Sequence, residues 1–219
     1  MIPLSYPRDF LHDAPLIGLS FDPEPMAELT PLRSGKVIAK ELGPTLWRAS
    51  FQTDKMAPAE AGAVRAFYAS LLSFHSFYAY DKMREFPLAY VDGFDGLEVG
   101  GQPFTGECTL ADVPSATLVA LEDLPPGFVL SKGDYLSFDY GAGNAKRALH
   151  MIVQGDAADG AGAVTVEVAP YVRTGWSAAA TVSLYRASAE FIIVPGSYRA
   201  PKTPPHFTTV SFDAMQRLF

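Results

Sequence analysis

Apolar positions along this chain repeat mostly with a period of two, which is the mark of half-buried strands. Thr45 to Thr53 sets Trp47, Ala49, Phe51 and Thr53 on one face and Leu46, Arg48, Ser50 and Gln52 on the other. One segment departs from that period. From Pro58 to about Phe74, Val64, Phe67, Tyr68, Leu71 and Leu72 follow the i, i+3, i+4, i+7, i+8 spacing of a buried helix face. Pro58 suits the first helical position and Glu60 the first turn, where a carboxylate complements the helix dipole. After Phe74 the alternation returns in Phe77, Ala79 and Asp81 against Tyr78 and Tyr80. Strand, helix, strand predicts an α+β start on a mostly antiparallel sheet.

Beyond Asp92-Gly93, Asp95-Gly96 and Gly100-Gly101 the strands come at close spacing. Phe104, Gly106, Cys108 and Leu110 alternate, as do Thr117 to Leu121, then Leu136, Phe138 and Tyr140. Gly141 and Gly143 mark a hairpin, and Leu149, Met151 and Val153 return against His150 and Ile152. Val164, Val166 and Val168 end at Pro170, and Thr181 to Arg186 and Phe191 to Val194 follow. The predicted fold class is α+β, mostly β: antiparallel sheet with one packed amphipathic helix at about 58–74, plus a small β-sandwich or barrel. The division predicted is a proline-rich N-terminal arm over 1–33, a strand-strand-helix-strand core over 34–95, a β module over 96–195, and a C-terminal extension over 196–219. Pro3, Pro7, Pro15, Pro23, Pro25 and Pro31 exclude a helix or a central strand from the arm. Lys36–Lys40 reads as a short strand that Gly43-Pro44 ends.

Composition adjusts this picture in two respects. Charged residues make up only 19% and aromatic residues 12%, so either the β core is well filled or partners cover part of the surface. The net charge is −7, the sequence pI about 5.0, and no Lys/Arg run exists, which disfavours specific nucleic-acid binding. A single cysteine, Cys108, leaves no intrachain disulfide framework and suits a reducing compartment. No secretory leader and no apolar run of membrane-spanning length stands out, so a soluble protein made in the cytoplasm is expected.

Motifs that carry chemistry are sparse in this sequence. The sequence has no G-x-S-x-G elbow, P-loop, H-E-x-x-H or cysteine pair for zinc. Gly141-Ala142-Gly143 opens like a dinucleotide loop, but Lys146 stands where the third glycine belongs. His12, His75, His150 and His206 are dispersed; His75 suits the helix C-terminus, and His150 is expected to face solvent or an interface. Cys108 reads as a small buried hydrophobe. Asp156 and Asp159, like Asp92 and Asp95, read as turn formers in preference to Ca²⁺ ligands. Trp176 and Tyr171 are the best candidates for stacking on a sugar. No catalytic, cofactor-binding or metal-ligating residue is assigned, and no enzymatic activity or cofactor is expected.

Two stretches carry a resemblance. LWRASFQTDKMAPAEAGAVRAFYASLLSFHSFYAYD resembles the strand–helix–strand core of distal tail proteins of long non-contractile-tailed bacteriophages and related gene-transfer particles. LSKGDYLSF and RALHMIVQGDAADGAGAVTVEVAPYVRTG, with Pro170 and Arg173 at the end, are similar to a β module common in tail-tip proteins. The resemblance implies a structural virion protein at the tail tip, assembled in the bacterial host cytoplasm. It implies self-association in a ring, read as a homohexamer, that joins the tail tube to the baseplate hub, the receptor-binding parts and the tape-measure protein. A carbohydrate-binding module, or another tail protein such as a tube, terminator or joining protein, is the alternative.

Overall fold

In the computed structural model, which describes residues 5–10, 14–72 and 74–218, strand accounts for about half of the chain. The chain opens with β1 (Arg8–Asp9), a long hairpin of β2 (Leu16–Pro31) and β3 (Val37–Thr53), helix α1 (Pro58–Ser70) and β4 (Phe77–Tyr80). A two-residue hairpin, β5 (Glu98–Val99) and β6 (Gln102–Pro103), leads into β7 (Glu107–Ser115), β8 (Leu118–Glu122), β9 (Tyr135–Tyr140), β10 (Lys146–Gln154), β11 (Val164–Ala169) and β12 (Ala180–Ser183). The chain then returns through β13 (Ser188–Ile193), a small hairpin of β14 (Lys202–Thr203) and β15 (Phe207–Thr208), and β16 (Ser211–Gln216).

These strands form two main bodies. One is a six-stranded sheet in the order β1-β4-β13-β16-β3-β2, antiparallel except where β1 runs parallel to β4. The other is a closed six-stranded barrel, β10-β11-β8-β7-β12-β9. The predicted α+β, mostly β class is the one observed. Every barrel strand lies between β4 and β13, and those two strands pair with each other from Ser188↔Tyr80 to Phe191↔Phe77. The barrel is therefore an insertion into one hairpin of the sheet. Phe191–Val194, read from the sequence with the β module, belongs largely to the sheet. The C-terminal residues return to it as well, with β16 lying between β13 and β3.

Alternation explains the sheet. Trp47, Ala49, Phe51 and Thr53 are all buried, while Arg48, Ser50 and Gln52 are exposed. Helix α1 lays Ala61, Val64 and Phe67 on that inner face, with Leu71 just past its end. Phe67 meets Phe77 edge to face with centroids 5.6 Å apart, and Phe10 fills the space between Phe51 and Phe77. At the helix start Glu60 Oε2 accepts a hydrogen bond from the Ala57 N–H at 3.0 Å, half of a capping box.

The helix stops at Ser70, four residues before the predicted end. Ser70 Oγ donates to the Phe67 carbonyl (2.6 Å), a local bond that competes with helix continuation, and the Tyr6 hydroxyl donates to the Ser70 carbonyl (2.7 Å). Phe74 then adopts φ +63°, which turns the chain into β4. Leu72 consequently lies outside the buried face at 55% exposure, against 5% for Leu71.

The barrel docks against the same inner face through β9 and β10, so β9 is buried on both sides. Leu136, Phe138 and Tyr140 point into the barrel core, and Tyr135 packs with Trp47 and Phe21 of the sheet. Trp47 Nε1–H donates to the Leu149 carbonyl of β10 at 2.8 Å. Ser188 N–H donates to Ser137 Oγ, and the Arg173 guanidinium donates to the Thr45 carbonyl.

The arm and the first strands need revision. Leu16–Pro31 is strand β2, paired to β3 from Leu16↔Thr53 to Pro31↔Val37. It tolerates Pro23, Pro25 and Pro31 because it is the edge of the sheet and carries bulges, where ladder donors are dispensable. Gly43-Pro44 does not end a strand either: it sits in those register shifts, and β3 continues through it.

The contrast between two adjacent leucines tests the core assignment. Leu71→Asp is expected to lose more than about 4 kcal/mol, by burying an unpaired carboxylate, and to unfold or aggregate. Leu72→Asp should stay within about 0.5 kcal/mol of the parent in chemical denaturation.

Candidate assembly interface

Beyond the sheet, β2 and β3 continue as a free two-stranded ribbon. Among the described residues, Arg48–Gln52 of β3 pair with β16 and the residues nearer the tip have no third strand. At about 3.3 Å per residue, Val37–Trp47 alone extends roughly 35 Å. The tip closes on Leu32 N–H to Lys36 O (2.8 Å) and Gly35 N–H to Leu32 O (2.9 Å), with Gly35 at φ +80° in the left-handed position such a turn needs. Every residue from Glu24 to Leu42 is exposed.

The register sorts this ribbon into two unlike faces, because directly opposed residues share a face. Ala27↔Glu41, Leu29↔Ala39 and Pro31↔Val37 lie on one, which is apolar apart from Glu41. Glu28↔Lys40 and Thr30↔Ile38 lie on the other, with opposite charges facing across the strands. Leu29 is 65% exposed and Val37 55%. A lone two-stranded ribbon is marginal in water, and a contiguous exposed apolar face marks an interaction surface. The free edge of β2 is blunted by its prolines and by Asp22 and Glu24, so strand addition is disfavoured and the ribbon face is the candidate contact surface.

The residues considered for chemistry do not converge. His12 lies outside the described residues. His75 stacks on Tyr6, with ring centroids 4.0 Å apart, at the helix end. His206 sits on the turn between β14 and β15. Cys108 is buried in the barrel core, and burial pushes its thiol up to about 12. Among the described residues no group of three His, Cys, Asp or Glu stands close enough to hold a metal ion.

Asp159 is occupied by its own turn: its Oδ1 accepts from the Ala161 and Ala163 N–H groups at 2.8 and 3.0 Å, and these bonds hold the carboxyl below its ordinary range. Asp156 accepts from the Ala157 N–H. Gly141, Ala142 and Gly143 belong to the β9–β10 connection, as the hairpin reading expects. Trp176 packs partly buried against the barrel core, whereas Tyr171 is 66% exposed, so the two do not form a matched stacking pair. A polar cleft of about 290 Å³ beside the barrel holds Arg147 and Arg186, but each is engaged by a carboxylate, Asp139 and Glu85 respectively.

His150 overturns its sequence reading: it is buried, not solvent-facing. The strand β10 is covered on both faces, by the barrel core on one side and by the sheet on the other, so alternation places no residue of its middle in water. Its Nδ1–H donates to the Pro170 carbonyl at 2.7 Å, which fixes the neutral tautomer, and its Nε2 is buried without a partner. Phe138 stacks alongside at 5.6 Å. Burial, with the nearby Arg173 charge adding to it, lowers its pKa from 6.5 to about 4.

The sequence matches no known family model, and no curated protein matches it.

The buried imidazole makes stability depend on pH. The unfolded chain takes up a proton near 6.5 and the folded chain only near 4, so the stabilisation is complete above 6.5 and is lost as pH falls across that window. This single group should remove about 3 kcal/mol between those limits. Urea melts of the parent and of His150→Gln at stepped pH should differ by that slope, and equal slopes would show that the imidazole is not held neutral.

Proposed function

We propose that this chain is a structural protein of a phage tail tip, a ring subunit that joins the tail tube to the baseplate hub and the receptor-binding parts. The observation that carries this reading is the exposed apolar face of the β2–β3 ribbon. A surface that costs solubility and is unsupported within its own fold is accounted for by a neighbouring subunit that covers it. A ribbon reaching tens of ångströms from its sheet contacts a surface unlike itself, and repeated contacts between unlike surfaces close a ring when the rotation permits.

Two further features support the reading. The strand–helix–strand core lies in one folded unit with the sheet, as the resemblance to distal tail proteins implies. The excess negative charge also suits a conduit that must pass DNA without holding it. Tail tube, hub and tape-measure proteins are the partners this role requires.

Sedimentation and light scattering test the proposal. Six 23.6-kDa chains would give a particle of roughly 142 kDa. Replacing the ribbon's apolar face by Leu29→Ser with Val37→Ser should shift the mass to that of the monomer. The melting temperature of the isolated subunit should change little, since both side chains are exposed there. A parent protein that stays monomeric at high micromolar concentration would count against the ring.

A further inference from the structure

A groove about 370 Å³ in volume runs between α1 and the β14–β15 hairpin. Its floor is Ala61 and Gly62, and Phe207 and the Pro204-Pro205 turn form an apolar wall. Arg65, Lys202 and His206 also line it, and no carboxylate among the described residues does. On a chain of net charge −7 such a one-signed lining is unexpected. The side chains of Lys202 and His206 have no hydrogen-bond or ion-pair partner among the described residues.

Gly62 adds an independent observation. Glycine inside a helix is unfavourable relative to alanine, and it is kept where a backbone must be approached closely. Nothing among the described residues makes that approach: a Cβ built at Gly62 would meet none of their atoms within 4 Å. The helix gives up propensity at a position that its own fold leaves open. Another molecule lying on the groove floor would supply such a contact.

Charge points to that molecule. The stretch from 81 to 183, which contains the barrel, carries fourteen acidic and six basic residues, while the rest of the chain carries ten and eleven. The negative excess thus belongs to the inserted part, and the groove belongs to the sheet body. On the inserted part, Asp92, Asp95 and Glu98 are exposed, and their side chains have no hydrogen-bond or ion-pair partner among the described residues. Asp92 follows the exposed apolar Val91 in the chain, and Val91 and Leu88 line one surface that also holds Lys82 and Arg84. Carboxylates beside apolar side chains are the complement of cations beside an apolar floor.

We propose that the groove receives the 91–98 loop of a second copy of this chain, with Gly62 allowing the loop backbone to lie against α1. This contact rests on the ring reading only for how it propagates, since the two surfaces are unlike and join copies head to tail. It supplies the registering charges, and the ribbon supplies the apolar area.

The test is a charge swap read by sedimentation equilibrium of the full chain at low and high salt. Lys202→Glu alone and Asp95→Lys alone should each weaken self-association by about tenfold or more, and the two together should restore most of it. Association of the parent should weaken as salt is raised. Gly62→Leu should keep or raise the melting temperature, because it improves helix propensity in open space, and should nevertheless block association. Reversal variants that associate like the parent would overturn the groove contact and leave the ring reading standing. A parent that stops at a dimer, with the swap still rescuing, would keep the groove contact and overturn the ring. A parent that remains monomeric at every concentration overturns both.

Discussion

The pairing of β4 with β13 is the constraint on which the rest of the architecture depends. It joins residues on either side of 81–187, and closing a flexible loop of that length would cost about 4 kcal/mol in chain entropy. Four register pairs cannot offset that cost while also ordering the intervening chain. The insertion is affordable because the barrel folds around its own core, with Leu110, Val119, Leu136, Ile152, Val166 and Val182 among its buried residues. A closed barrel also removes its own sheet edges, so the large insertion adds no long open strand to the surface.

The two bodies are then fixed to each other by a seam of mixed character. Trp47 is fully buried, and its indole N–H reaches across to the Leu149 carbonyl of the barrel. Tyr135 enters the aromatic cluster from the opposite side, against Trp47 and Phe21. Its hydroxyl donates to Asp81 at 3.3 Å, at the point where the chain leaves β4 for the insertion. The aromatic packing excludes water, and the polar ends set the register. A barrel held only by apolar area could slide on the sheet; these bonds oppose that. β10 has its other face inside the barrel, and His150, in step with Ala148 and Ile152 and beside Phe138, is buried on that face while Leu149 meets the sheet.

That double burial also explains which parts of the fold were legible in the sequence. Period-two alternation located Trp47, Ala49 and Phe51, and the valines of β11, because one face of each strand is wet or nearly so. The 3.6-residue period located α1 and identified Leu71 as core, but it could not place the helix end, which is set by a local bond of Ser70, a long-range bond from Tyr6 and the backbone sign at Phe74. His150 was misplaced because alternation implies a polar face, and β10 has none at its centre. The prolines of 1–33 excluded a central strand, and rightly, but an edge strand was the solution that the composition left open. The ribbon's partition into unlike faces depends on cross-strand register, which bulges shift and which no single strand's sequence contains.

The exposed surfaces differ from the buried ones in what they ask of the molecule. The core residues reach their low free energy inside one chain, whereas Leu29, Val37 and Gly62 do not. Leu29 and Val37 keep apolar surface in water on a ribbon too narrow to shelter it, and Gly62 gives up helix propensity without any contact in return. Each is unfavourable in the isolated subunit, and they sit on separate elements, so no single local accident of folding accounts for them together. The proposed assembly would account for all three, since burying the ribbon face and filling the helix groove would turn each cost into contact area. The chain builds its two cores in the sheet and the barrel, and the surfaces assigned to the proposed contacts lie at its periphery.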